Sequence, residues 1–177
     1  LGEKRAWERR RDAKHGELFV AEYQSAGRGR FTRRWSAPPD SAITMSILIC
    51  PEFSPMKAPM MTLVMGLSVA QAVADLGLDV GIKWPNDVVV SRKKICGILT
   101  EMTMKQDKIG CAVIGVGINV NMDSFPEETA DKATSLYLES GHVFDRAEVV
   151  GLVMKHFEEN YERFVTDRRS VRAEGRL

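Results

Sequence analysis

The chain has 177 residues, 44% of them hydrophobic and 28% charged, which suits one globular domain with its own core and excludes a disordered chain. Lys plus Arg number 25 and Asp plus Glu 24, so the net charge is +1. That balance argues against a surface that attracts nucleic acid everywhere, while leaving local basic patches open.

Residues 2–14 are charged and helix-favouring, and His15-Gly16 closes them. Leu18 to Ala21 reads as a short buried strand, and residues 24–40 as a long polar loop with two glycines, two prolines and four arginines. Ile43 to Cys50 is a strand ended by Pro51, and Pro55 and Pro59 flank a turn. From Met60 to Leu76, Leu63, Leu67, Ala70, Val73 and Ala74 recur at helical spacing, and Gly77 ends the helix. Val80 to Trp84 is a strand stopped by Pro85. Val88 to Val90 and Ile95 to Met102 flank the basic turn Ser91-Arg92-Lys93-Lys94, which predicts a hairpin. Lys108 to Val120 supplies another strand. Asp145 with Glu148 three residues on caps a helix that carries Val149, Val150, Val153, Phe157, Tyr161 and Phe164 on one side. Residues 167–177 form a basic tail. Strands clustered between 17 and 120, with helices before, amid and after them, predict an α+β layout with a mixed sheet.

Cys50, Cys96 and Cys111 form no CxxC pair and each sits in an apolar stretch, so the expectation is three buried, reduced thiols. His15, His142 and His156 lack metal-ligand spacing. No apolar run nears the ~20 residues of a membrane helix, and no apolar segment follows the basic N-terminus. The reading is a cytoplasmic protein.

Four segments could carry chemistry. In Gln24-Ser-Ala-Gly27-Arg28-Gly29-Arg30-Phe-Thr-Arg33-Arg34-Trp35, glycines let the backbone approach a ligand, arginines offer forks for phosphate or carboxylate, and Trp35 offers a stacking face. The spacing is neither a P-loop nor a dinucleotide fingerprint. A basic surface loop touching RNA stays open as the plain alternative. In Lys83-Trp84-Pro85-Asn86-Asp87, Lys83 sits at a strand end from which it could reach a site, although an ordinary strand-to-turn junction reads the same way. Lys94-Ile95-Cys96-Gly97-Ile98-Leu99-Thr100-Glu101 holds a glycine within a strand, a mark of close ligand approach or of a bulge. Gly115-Val-Gly117-Ile-Asn119-Val-Asn121 places two glycines before a polar strand end.

GRGR with Arg33 and Trp35, then KWPND, then K-x-x-G-I-L-x-E, then G-x-G-I-N-V-N, resembles the biotin–protein ligase family over residues 16 to about 165. The resemblance implies a catalytic domain over residues 1–166, with an α/β fold like that of class II aminoacyl-tRNA synthetases. It implies activation of biotin by ATP, with Mg²⁺, to biotinyl-5′-AMP, then transfer to a lysine of a biotin carboxyl carrier protein. It places Gln24, Arg28, Gly29 and Arg30 over biotin and the acyl phosphate, with Lys83 reaching the carboxylate and the α-phosphate. Gly97 and Ile98 would floor the pocket, and Arg33, Trp35 and Asn119 would meet the nucleotide. Lys83, Arg28 and Arg30 are the expected catalytic set, and a homodimer is allowed.

Thr32 stands where the family usually has glycine. Relatives begin this domain with a strand and a Ser-Thr-Asn segment before the first helix, so the expectation is that this strand is missing ahead of Leu1. The 177 residues leave no room for the helix-turn-helix domain and small barrel of many bacterial relatives, so no DNA-binding role is expected. A lipoate or octanoate ligase of the same fold is the nearest rival, and a non-catalytic biotin- or nucleic-acid-binding module the next.

Overall fold

The computed structural model describes residues 14–31, 34–52, 54–57, 59–105 and 108–166. The helix expected over 2–14, save Lys14, and the tail expected over 167–177 lie outside the described residues. In chain order the elements are β1 (Glu17–Ala21), β2 (Ala42–Ile49), a 3-10 turn (Pro55–Lys57), α1 (Met60–Asp75), β3 (Val80–Lys83), β4 (Asp87–Val90), β5 (Lys93–Lys105), β6 (Lys108–Asn119), α2 (Leu136–Ser140) and α3 (Arg146–Thr166). The strands form one six-stranded sheet in the order β1-β2-β6-β5-β4-β3. All of its strand pairs are antiparallel, and a single parallel bridge joins Lys94 to Ala133. The α+β layout stands, with the mixed character confined to that bridge.

Alternation along the strands sorts the sheet's two faces. Ile43, Met45, Ile47 and Ile49 of β2 join Ala112, Ile114, Val116 and Ile118 of β6 in the buried core. Thr44, Ser46 and Leu48, with Gly117, Gly115 and Val113 opposite them, face the other way. Met61, Val64, Met65, Val69 and Val73 of α1 and Val149, Val153 and Phe157 of α3 belong to the same buried core. The two helices are tied by a buried polar contact in which Asn160 Nδ2 donates to Ser68 Oγ (3.0 Å) and Gln71 Oε1 (2.6 Å).

The caps form as the sequence predicts. Asp145 Oδ1 accepts from the Ala147 N–H at 2.7 Å, and Gly77 leaves α1 at φ +85°. The β4–β5 turn is shorter than expected. Ser91 (φ 50°) and Arg92 (φ 63°) alone make it, both in the left-handed region that two-residue hairpins need. The Trp84–Pro85 bond is cis.

Leu18–Ala21, expected as a buried strand, lies at the sheet edge and is only half-buried, with Val20 58% exposed. Two further expectations are corrected. The buried face of α1 matches the predicted stripe at Ala70 and Val73 but not at Leu67, which is 43% exposed, while Met61, Met65 and Val69 are fully buried. The helix is apolar nearly all round, so its spacing left its rotation undetermined. Residues 55–75 are in fact long and apolar enough to span a bilayer by length and composition, and packing into the core accounts for that composition. The second correction concerns the cysteines. Only Cys96 is free and buried, whereas Cys50 and Cys111 are half-buried and joined in a disulfide across 61 residues. They face each other one step beyond the paired Ile49 and Ala112. Antiparallel register brought together two cysteines that their separate apolar stretches did not relate.

Loop-closure entropy for a 61-residue separation suggests that the bridge adds up to about 4 kcal/mol. Cys50→Ser with Cys111→Ser should lower the urea midpoint accordingly without reductant, and an unchanged midpoint would show the bridge contributes nothing. Burial pushes the Cys96 thiol well up, against a smaller opposing pull from Lys94. The unfolded chain therefore loses this proton first as pH rises past about 8.5, and stability falls from there. Cys96→Ala should flatten the decline measured between pH 8.5 and 10.5, and equal slopes would count against the buried neutral thiol.

Candidate active site

The non-core face of the sheet opens into a cavity of about 860 Å³, a size ordinary for a small-molecule site. Its floor runs in cross-strand rows. Ala21, Thr44, Gly117, Gly97 and Asp87 form one row, and Phe19, Ser46, Gly115 and Leu99 the next. Glycine at the centre of both rows removes side chains where a ligand would lie. Thr44 Oγ1 donates to the Ala21 carbonyl and pins β1 to the floor.

The loop between β1 and β2 folds back over this floor. Arg28 and Arg34 form a bridge, and the Trp35 N–H donates to Gly27 O at 3.0 Å. Gly27 is required by space, because a Cβ there would stand 2.5 Å from Trp35 O and 2.8 Å from Gln24 Oε1. The Trp35 indole lies on Gly117, where a Cβ would come within 2.5 Å of two ring carbons. Trp35 Nε1 is buried and has no acceptor among the described residues.

Cationic side chains converge here, and Arg28, Arg30 and Lys94 are each held by a partner. Arg28 Nη2 lies 2.5 Å from Glu101 Oε1 at the rim. Arg30 Nη1 donates to Asn86 Oδ1 at 2.9 Å. Asn86 is itself fixed to β5: its Nδ2 donates to Ile98 O at 3.2 Å, and its carbonyl accepts the Ile98 N–H at 3.0 Å. Lys94 Nζ lies 2.7 Å from Asp87 Oδ1, an ion pair out of hydrogen-bond alignment. Gly97 makes room for it, since a Cβ there would meet Lys94 Nζ at 3.0 Å.

Of the residues predicted from sequence, Gln24, Arg28, Gly29, Arg30, Trp35, Gly97 and Ile98 line this cavity together. Arg33, like Thr32, lies outside the described residues. Lys83 does not line the cavity, and its side chain is exposed at the end of the edge strand β3. Asn119 is buried away from the cavity, where its Nδ2 donates to Thr134 O at 3.0 Å. It thereby braces a segment whose Thr134 N–H bonds Lys94 O at 2.9 Å. Lys94, Asn86 and Asp87 line the cavity although the sequence reading gave none of them a settled role. Lys94 stands three residues before the strand glycine that drew attention to its segment, and that spacing was the available signal. Among the described residues no group of three His, Cys, Asp or Glu side chains could hold a metal ion.

A family model described as "Biotin/lipoate A/B protein ligase family" matches residues 4–119. The chain is 42% identical over 158 residues to the bifunctional ligase/repressor BirA of Bacillus spizizenii, covering 88% of this chain and 49% of that protein. It is 34% identical over 154 residues to BirA of Escherichia coli K12, covering 86% and 48%. It thus spans about half the length of these curated relatives. Among solved structures, the biotin protein ligase from Aquifex aeolicus in complex with biotin and ATP superposes with a TM-score of 0.77 at 37% identity, covering 88% of this chain and 65% of that one.

The contact of Trp35 with Gly117 is open to a direct check. Gly117→Ala should cost about 1–3 kcal/mol, as overpacking does, and push the indole out of its buried seat. Red-shifted tryptophan emission is expected in a protein whose circular dichroism is unchanged. Unaltered emission and stability would show that the indole does not occupy that seat.

Proposed function

The chain belongs to the biotin/lipoate A/B protein ligase family, and from that premise we propose that it carries the catalytic part of a biotin–protein ligase. The reaction has two steps. The biotin carboxylate attacks the α-phosphorus of ATP and pyrophosphate leaves. A neutral carrier lysine then attacks the acyl carbon of biotinyl-5′-AMP and AMP leaves. The proposed acceptor is a biotin carboxyl carrier protein.

One observation carries this reading: Arg28, Arg30, Arg34 and Lys94 line one cavity with a glycine-lined floor. The first step brings two anions together, and fixed cations overcome their repulsion by positioning and charge stabilisation. Arg30 and Lys94 are suited to the carboxylate and the α-phosphate. Both are anchored through the KWPND turn, Arg30 by Asn86 and Lys94 by Asp87. Trp35 is suited to flank the acyl chain or the adenine, and its buried Nε1 awaits an acceptor. Lys94 takes the part expected of Lys83. Arg33 would extend the phosphate contacts, and Asn119 would act through Thr134.

The second step needs a neutral amine from a group with an ordinary pKa near 10.4. Asp87 is available to accept that proton only after Lys94 turns to the phosphate. The cavity's two carboxylates, Asp87 and Glu101, are each engaged by a cation, so the described residues do not form a cage for Mg²⁺. Mg²⁺ in such sites is carried largely by the nucleotide's phosphates. A cytoplasmic setting is proposed with the activity, although the cytosol keeps most disulfides reduced and the Cys50–Cys111 bridge does not favour it.

ATP–pyrophosphate exchange tests the reading. Biotin should support exchange. Lipoate supporting it instead would move the chain to the lipoate branch of the family, and no exchange with either would favour a binding module. Lys94→Ala should reduce exchange on the order of 100-fold, comparable to losing one oxyanion donor. Lys83→Ala should stay within about threefold on the same scale, and the reverse ranking would return the role to Lys83.

A further inference from the structure

The cross-strand rows of the sheet continue past the cavity. Leu48, Val113 and Glu101 form the last row that lines it. Two residues farther along each strand, on the same face, stand Cys50, Cys111 and Thr103. The pairing of β2 with β6 ends at Ile49 and Ala112, and the register of β5 against β6 shifts just after Thr103. The Cys50–Cys111 bond therefore joins the strands where the backbone ladders give out, and strand ends are where a sheet opens first.

Each cysteine is also held by contacts that do not involve its sulfur. The Cys50 N–H donates to His15 Nδ1 at 3.0 Å, and the Gly16 N–H donates to Leu48 O at 2.7 Å. The Cys111 N–H donates to Thr103 Oγ1 at 3.2 Å, and that hydroxyl donates to Cys111 O at 3.3 Å. Breaking the S–S bond would leave both backbones anchored and the two thiols side by side, at high effective concentration for closing it again. Both cysteines are half-buried, so small reagents reach them, whereas Cys96 is fully buried in the core. We propose that Cys50 and Cys111 are a reversible thiol–disulfide exchange site, which reacts with small disulfides and dithiols and whose bond clamps the outer end of the cavity floor.

To close the bond, one protein thiolate attacks a sulfur of a small disulfide and releases a thiolate from it. The second protein thiolate then attacks the protein sulfur of this mixed disulfide and releases the other half of the reagent. One protein S–S bond forms as one reagent S–S bond breaks. Two electrons pass from the protein to the reagent, and the two protons of the protein thiols end on the released thiols. A dithiol runs the exchange in reverse. Disulfides in reducing compartments are typically transient and redox-sensing, so a bond that opens and closes suits the proposed cytoplasmic setting where a permanent one does not.

Thiol counts test the exchange. After acid quenching and alkylation in denaturant, the oxidised protein should carry one label, on Cys96, and the protein treated with dithiothreitol should carry three, with its circular dichroism before quenching unchanged. Glutathione disulfide should then restore the Cys50–Cys111 link in peptide mass maps. A bond that dithiothreitol opens only in denaturant would overturn the exchange site, as would reoxidation to stable glutathione adducts or to a link with Cys96. Hydrogen exchange tests the clamp. Reduction should raise amide exchange at residues 46–50 and 111–115 by at least about twofold, and Cys50→Ser should show the faster rates in either redox buffer. Equal rates in the two redox states would overturn the clamp. Neither measurement needs a substrate, so the ligase reading stands or falls separately. Under that reading oxidation should lower KM for biotin in pyrophosphate exchange, and an equal KM in both states would likewise overturn the clamp.

Discussion

The architecture depends on the pleat of β2, β5 and β6 having two differently furnished faces. Alternate residues send Ile43, Met45, Ile47, Ile49, Ile114 and Ile118 into the core, and that burial holds the sheet against α1 and α3. The intervening positions hold Gly97, Gly115 and Gly117 with Thr44 and Ser46. A one-residue slip in any of these strands would exchange the two sets, filling the cavity with isoleucine and the core with glycine. Register is therefore strongly specified, and the cavity follows from the same alternation that stabilises the fold.

That constraint explains what was legible in the sequence and what was not. The strands were legible because β-branched runs end at Pro51 or Pro85, and α3 because Asp145 announces its start. The segments that carry chemistry were legible as segments. Which side chain in each segment faces the cavity depends on registers that no single segment records. Lys83 and Asp87 pair across the β3–β4 hairpin, yet only Asp87 adjoins Gly97 of β5 and lines the cavity. One strand farther from the centre of the sheet, Lys83 is at the edge and exposed. The Cys50–Cys111 bridge was hidden for the same reason, since residues 61 apart meet only through the pairing of β2 with β6. Asn119 was read as a ligand contact because it ends a glycine-rich strand, and only the fold shows that its buried side chain donates to Thr134 O.

The KWPND turn gains a more specific meaning from its surroundings. Its invitation to chemistry seemed to lie in the lysine, but its described contacts come from Asn86 and Asp87. Asn86 spends its amide on β5 and its carbonyl oxygen on Arg30, and Asp87 holds Lys94. One short turn thus couples the glycine-rich loop, the floor strand and the strand's lysine. A change in the turn would reach two cations at once without touching either.

Arg28, Arg30 and Lys94 each have a protein acceptor, two of them charged. Bare cations clustered in a half-enclosed cavity would repel one another and lose hydration, a cost that rises as the local dielectric falls. Pairing each with its own acceptor removes most of that cost before any ligand arrives. An entering carboxylate or phosphate then exchanges one anionic partner for another, so binding draws on the difference between two pairings rather than on a whole one. The acceptors must be good enough to hold the cations in place and poor enough to be exchanged. A partly exposed Glu101 and a misaligned contact from Asp87 to Lys94 meet both conditions, whereas Asn86, neutral and doubly anchored, holds Arg30 in place by its geometry.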